Sequence, residues 1–230
     1  MNNLNARENR TTRRILPIAC ATALAVAFTV SLPQSAHADQ VKPPPVPSNI
    51  QVPAGNKAFL ESHGVGTQNY VCLPSGTGFK FTLFTPQATL FNEAPRMSYL
   101  DRRGDLHWEV RSDKEVTTHY FSPNPFEGGT IRATWQHSRD ASTVWGQVLP
   151  GESSADPNFV APGAIAWLLV TIVGAKDGSP EGDTLTATTF IQRLNTSGGV
   201  APSTGCASSS DVGHQAFVPY TADYFFYKER

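Results

Sequence analysis

From Val52 onward the chain alternates short apolar segments with Gly, Pro, Asn and Asp. In Phe79-Lys80-Phe81-Thr82-Leu83-Phe84 every second residue is apolar, the period of a strand with one face in a core. Pro86 interrupts it, and Ala88 to Phe91 reads as the next strand. Similar segments follow at Met97 to Leu100, at Leu106 to Arg111 after the turn Arg103-Gly104-Asp105, and at Thr117 to Phe121, Thr130 to Trp135 and Thr143 to Val148. Ala164 to Val173 is the most apolar segment after the N-terminal region. Its Val, Ile, Thr and Trp, between Gly163 and Gly174, predict a central buried strand. Thr184 to Leu194 is its expected partner, and Gln215 to Val218 and Asp223 to Tyr227 close the series as two strands. Residues 57–63 carry Phe59, Leu60 and His63 at helical spacing, but strand fits the surroundings better. Strands with turn signals every 8–12 residues or so predict an all-β fold, an antiparallel β-sandwich or barrel with long Gly/Pro-rich loops.

The N-terminal region has a different pattern. Arg7, Arg10, Arg13 and Arg14 precede an uncharged run from Ile15 to Leu32, which ends in Ala36-His37-Ala38 before Asp39. This is the layout of a secretory signal peptide, cut between Ala38 and Asp39. The expected organisation is a signal peptide over 1–38, a proline-rich extended spacer over 39–51 and a single β domain over 52–230. The product is expected to be secreted or periplasmic, with no membrane span once the signal is removed; Ala164 to Val173 is too short to be one. Arg13-Arg14 raises twin-arginine export, but Pro17 sits where an apolar residue is expected, so an ordinary basic start fits better. Acylation at Cys20 would halve the apolar run and is disfavoured.

Processing changes two bulk properties. Net charge moves from −1 to −4, because the segment removed carries four Arg and one Glu. A mildly acidic chain without a basic run excludes nucleic acid as the expected partner. Of three cysteines, Cys72 and Cys206 remain, and in an oxidising compartment a disulfide between them is expected.

The usual catalytic signatures are absent: no G-x-S-x-G, H-E-x-x-H, Walker loop or G-x-G-x-x-G before a helix. Five histidines remain (His63, His107, His119, His137 and His214), none spaced as a local metal pair, so no cofactor is expected beyond the weak option of a histidine-bound metal. Asp177, Glu181 and Asp183 read as a solvated loop rather than a calcium site, and Asp101, Asp105 and Glu109 as local ion pairs rather than a glycosidase carboxylate pair. Tyr220, Tyr224, Phe225, Phe226 and Tyr227 crowd the C-terminus, and Trp108, Trp135 and Trp145 the middle. Most belong in a core, but an exposed aromatic face would suit stacking on sugars.

Four segments carry a family resemblance: V-P-A-G-N-K-A-F-L-E-S-H-G-V-G-T-Q-N-Y-V-C-L (52–73), T-H-Y-F-S-P-N-P (118–125), I-Q-R-L-N-T-S-G-G-V-A-P-S-T-G-C (191–206) and V-P-Y-T-A-D-Y-F-F-Y (218–227). They resemble the secreted domain-of-unknown-function family 3455 of bacteria and fungi, from about Val52 to Tyr227. Some fungal members are labelled malate dehydrogenase, yet the chain lacks the dinucleotide fingerprint such an enzyme needs. The resemblance implies no activity. Its motifs include Tyr70, Arg193 and Tyr220, and they include the polar residues chosen as ligand-binding candidates: His63, Gln68, His119, Gln192, Asp223 and Tyr224.

The leading expectation is a non-catalytic extracytoplasmic binding protein for carbohydrate or cell-surface material. The rival is a secreted, metal-assisted enzyme with His63 and His119 as ligands or acid/base groups, oriented by Gln68 and Asp223. A structural or stress-related envelope protein is the third reading. Convergence of His63, Gln68, His119 and Asp223 on one cavity would decide most among these.

Overall fold

The structure, a computed structural model, describes residues 41–93, 96–100, 106–109 and 115–230, with only the backbone of 96–100 and 106–109. The signal-peptide reading, its cleavage point, the side chains of His107 and Trp108, and the carboxylates of Asp101, Asp105 and Glu109 lie outside the described residues.

Among the described residues eleven strands form in chain order: β1 (Asn56–Ser75), β2 (Gly78–Phe91), β3 (Arg96–Leu100), β4 (Leu106–Glu109), β5 (Glu115–Asn124), β6 (Thr130–His137), β7 (Thr143–Gln147), β8 (Ser153–Ser154), β9 (Trp167–Lys176), β10 (Phe190–Gly198) and β11 (Gln215–Glu229). Sheet order is β10-β11-β1-β2-β5-β6-β7-β9, and β9 pairs back onto β10. Eight antiparallel strands thus close into an up-and-down barrel, each beside its predecessor in the chain. The sequence left sandwich and barrel open, and the β9–β10 pairing decides for the barrel. Closure removes the unpaired edges that an open sheet would expose. The β3–β4 hairpin is an insertion between β2 and β5, and β8 is a short extra strand on β9.

Two predicted strand breaks are not breaks. β2 runs through Pro86, and Gln215 to Tyr227 is one strand instead of two. Both exceptions have local causes. Pro86 opposes Gln68 beside a register shift at Asn69/Tyr70, and β2 has no backbone pairing with β5 before Ala88, so its missing N–H is not needed there. β11 stays extended past Pro219 because β1 pairs with it from Val71↔Gln215 to Asn56↔Glu229. The predicted partner strand Thr184 to Leu194 begins later, at Phe190, because Thr186 and Thr188 donate backbone bonds to Asp183 and Leu185 in successive turns. Residues 57–63 are strand, as the sequence favoured.

Side-chain parity divides the core in two. Leu90, Trp135, Val144, Val170, Ile191, Tyr220, Tyr224 and Phe226 form a cluster inside the barrel. Trp167, Leu169, Leu194, Phe225 and Tyr227, their neighbours on the same strands, form a second cluster outside it, with Ile50 and Val160. The wall made by β9, β10 and β11 is therefore apolar on both faces. That explains the unbroken apolar runs in Ala164 to Val173 and Tyr224 to Tyr227, where alternation is lost.

The outer cluster is covered by the proline-rich segment expected to be a free spacer. Ile50 is fully buried, and Val41, Val46 and Val52 pack beside it. Asn49 Nδ2 donates to the carbonyls of Gly151 and Ser153, and Gln192 Nε2 donates to the carbonyl of Ile50 at 2.7 Å. From residue 41 the segment is docked. The apolar outer face of the wall gives it something to bury.

Cys72 and Cys206 form a disulfide, with Cα atoms 5.5 Å apart. It joins β1 to the loop before β11, which backbone bonds between Cys72 and the Gly213-His214 turn also hold.

Candidate functional site

A cavity of about 320 Å³ lies inside the barrel. Leu83, Phe121, Val148, Ile165, Leu168 and Val170 give it apolar walls, and Gln68, Tyr70, His119, Arg193 and Tyr224 supply polar groups. Strand parity puts them there. Gln68 and Tyr70 are two apart on β1, Arg193 follows Ile191 by two on β10, and Tyr224 alternates with Ala222 and Phe226 on β11. The Tyr224 ring crosses β1 where there is no side chain to meet. A Cβ on Gly64 would lie 2.7 Å from that ring.

From Ala88↔His119 to Leu90↔Thr117 the β2–β5 ladder is continuous, and a register shift precedes Phe91↔Glu115. Before Ala88, Pro86 offers no N–H, and Thr85 Oγ1 instead accepts the Phe121 N–H at 3.0 Å. A groove of about 510 Å³ follows this seam on the outside and shares Pro86 and His119 with the inner cavity. The interrupted ladder is thus the thin place in the wall.

His119 is 4 % exposed and stacks on Trp135, with ring centroids 4.3 Å apart and planes 10° apart. Its Nδ1 lies 2.9 Å from the Thr134 carbonyl, which can only accept, so Nδ1 carries the proton and Nε2 is the acceptor. Burial lowers its pKa to about 3; the Thr134 bond opposes this and the Arg193 charge adds to it. His119 is neutral under ordinary conditions.

The tyrosines remain protonated. Burial raises Tyr70, Tyr220 and Tyr224, against the pull of Arg193. Tyr70 donates to the Gly199 carbonyl at 2.6 Å, and the Tyr220 and Tyr224 hydroxyls are 3.0 Å apart. Arg193 Nη2 donates to the Ala166 carbonyl at 2.9 Å, while its Nε is buried without a partner. Gln68 is 2 % exposed; its Nε2 lies close enough to influence the Tyr220 hydroxyl but makes no hydrogen bond.

The six candidates chosen from the sequence divide three ways. Gln68, His119 and Tyr224 converge on the cavity. Gln192 points outward, accepts from the Tyr227 hydroxyl and holds the docked N-terminal segment, a structural role. His63 and Asp223 face each other across β1 and β11 on the outer face, 2.6 Å apart, with Asn195 Nδ2 donating to the other Asp223 oxygen at 2.7 Å. The hydrogen bond to Asp223 raises the His63 pKa, burial lowers it less, and the charges of Asp223 and Glu61 add to the rise.

His63 and His119 therefore leave the wall on opposite faces, and the joint site that pairs them does not form. Glu61, His63 and Asp223 bring one potential ligand atom each within 4.8 Å of one another on the outer face. The short His63–Asp223 bond already accounts for two of them. Asp177, Glu181 and Asp183 form no such group with one another. Trp135, Trp145 and Trp167 are all buried, so none of these supplies an exposed stacking face.

Tyr70 and Arg193 are cavity groups absent from the candidates chosen from the sequence, and Tyr220 stands behind them, its hydroxyl on that of Tyr224. Arg193 had one usable signal: it stands two residues after Ile191 in an apolar strand. The apolar outer neighbour Leu194 hides that alternation.

A family model described as proteins of unknown function (DUF3455) matches residues 53–228, nearly the whole barrel. No curated protein and no solved structure matches the chain. The chain belongs to the DUF3455 family.

Proposed function

We propose that this member of the family is a non-catalytic extracytoplasmic binding protein that takes a small ligand into the lumen of its barrel. One observation carries the reading: the closed eight-stranded wall encloses a cavity of about 320 Å³, apolar on its sides and with a few convergent polar groups. Barrels of eight strands are just wide enough to be filled by side chains or to hold one small ligand, and the volume falls at the low end of ligand pockets. Export supports the extracytoplasmic part, as read from Arg7 to Asp39 and from the use of Cys72 and Cys206.

Catalysis is the weaker reading. Neutral His119 has no carboxylate to orient it, and no serine or cysteine lines the cavity beside it. His63, which has its carboxylate, sits on the other face of the wall. A surface platform for carbohydrate is weaker too, since the aromatics that would form it are largely interior.

The neutral apolar dye N-phenyl-1-naphthylamine tests the lumen reading. It should bind once per chain, with enhanced emission and energy transfer from tryptophan. Ala133→Phe, which fills the cavity, should abolish this. Equal binding to both proteins, or none to the wild type, counts against the lumen.

A further inference from the structure

We propose that the ligand is a small organic oxyanion, its carboxylate held by Arg193 and Gln68 and its apolar part lying along Leu83, Phe121, Val148 and Leu168. This rests on the lumen reading and names the ligand class.

The cavity leaves several buried polar atoms unpaired. Three of its lining residues have a buried polar atom without a partner: Gln68 Nε2, Trp135 Nε1 and Arg193 Nε. All three are N–H donors. Tyr70 spends its proton on Gly199, and His119 spends its own on Thr134. These three unpaired donors are completed by a ligand that brings acceptors.

Charge points the same way. Among the described residues no carboxylate pairs with Arg193; its Nη2 donates to the neutral Ala166 carbonyl, and its guanidinium also acts on the Tyr224 hydroxyl, another neutral group. A guanidinium half-buried in an apolar chamber costs free energy unless an anion pairs with it, and its planar fork matches a carboxylate. A cationic ligand would meet Arg193 with no compensating acid. An inorganic anion would satisfy the donors but leave the apolar walls without contact. An aliphatic or aromatic acid meets both demands, and the volume suits one of modest size.

The probes are 3-phenylpropanoate and octanoate, each compared with its alcohol and its amine. They are titrated into the full-length mature protein by calorimetry and by displacement of N-phenyl-1-naphthylamine. The carboxylates should bind more tightly than the alcohols by on the order of 30-fold, the scale of a hydrogen-bonded charge pair. The amines should bind more weakly than the alcohols. Arg193→Gln should cost the carboxylates far more affinity than the alcohols, so that the gap between acid and alcohol closes. Alcohols that bind as tightly as the acids, with the dye still displaced, would overturn the anion assignment and leave the lumen reading standing. A dye that never binds overturns both. If Arg193→Gln does not fold by circular dichroism, the wild-type order of acid, alcohol and amine decides alone.

Discussion

His119 and His63 titrate in opposite senses, and the reason is which face of the wall each occupies. In the unfolded chain His119 takes up a proton near its ordinary 6.5; in the fold it does so at about 3, because burial disfavours the charged ring. Between those values the unfolded chain binds a proton that the folded chain refuses. His119 therefore makes stability fall as pH drops from 6.5 toward 3. His119→Phe should make the slope of unfolding free energy against pH shallower between pH 6 and 4, by at most about 1.4 kcal/mol per pH unit. Urea titrations across that range check it, and an unchanged slope contradicts the assignment. The His63 pKa is raised, chiefly by its hydrogen bond to Asp223. Its contribution is complete below 6.5 and is lost as pH rises through the higher folded value. His63→Ala should flatten that alkaline decline and leave the acid limb as it was.

Strands carry most of what the sequence made legible, and their two faces explain what it did not. Alternation in Phe79 to Phe84 reported a wall with one apolar face. Where both faces are covered, on β9, β10 and β11, alternation disappears, and with it the sign that Arg193 faces inward while Gln192 faces outward. Cys72 and Cys206 could be paired by counting. The convergence of Gln68 and His119 could not, because it depends on β1, β2 and β5 lying side by side. The docking of residues 41–52 was hidden for a related reason: proline-rich composition reports backbone stiffness, while the apolar surface that captures it belongs to strands over 100 residues away. Ile50→Ala should cost about 2–4 kcal/mol in urea unfolding, the range for emptying a fully buried aliphatic site. Dye binding in the lumen should be unaffected. A loss well under 1 kcal/mol would mean that the segment is not held as described.

The closed barrel is a meander stapled once. The disulfide spans 134 residues of sequence, and on the chain-entropy model a loop of that length contributes up to about 5 kcal/mol by constraining the unfolded chain. The variant with Cys72→Ala and Cys206→Ala should unfold at lower urea concentration, with the native circular dichroism spectrum retained and the loss no larger than that bound. An unchanged midpoint would show that the bond constrains nothing that matters to folding. Closure also makes the lumen one chamber, so the proposed ligand binding would be a property of the whole wall. The most direct test is to follow the indole, side-chain amide and backbone amide signals by ¹H–¹⁵N NMR while 3-phenylpropanoate is added. The expected result is saturable shifts at Trp135 and Gln68 with little change at exposed Phe217. Shifts confined to the outer face, with Trp135 and Gln68 unmoved at saturation, would contradict a ligand-binding lumen.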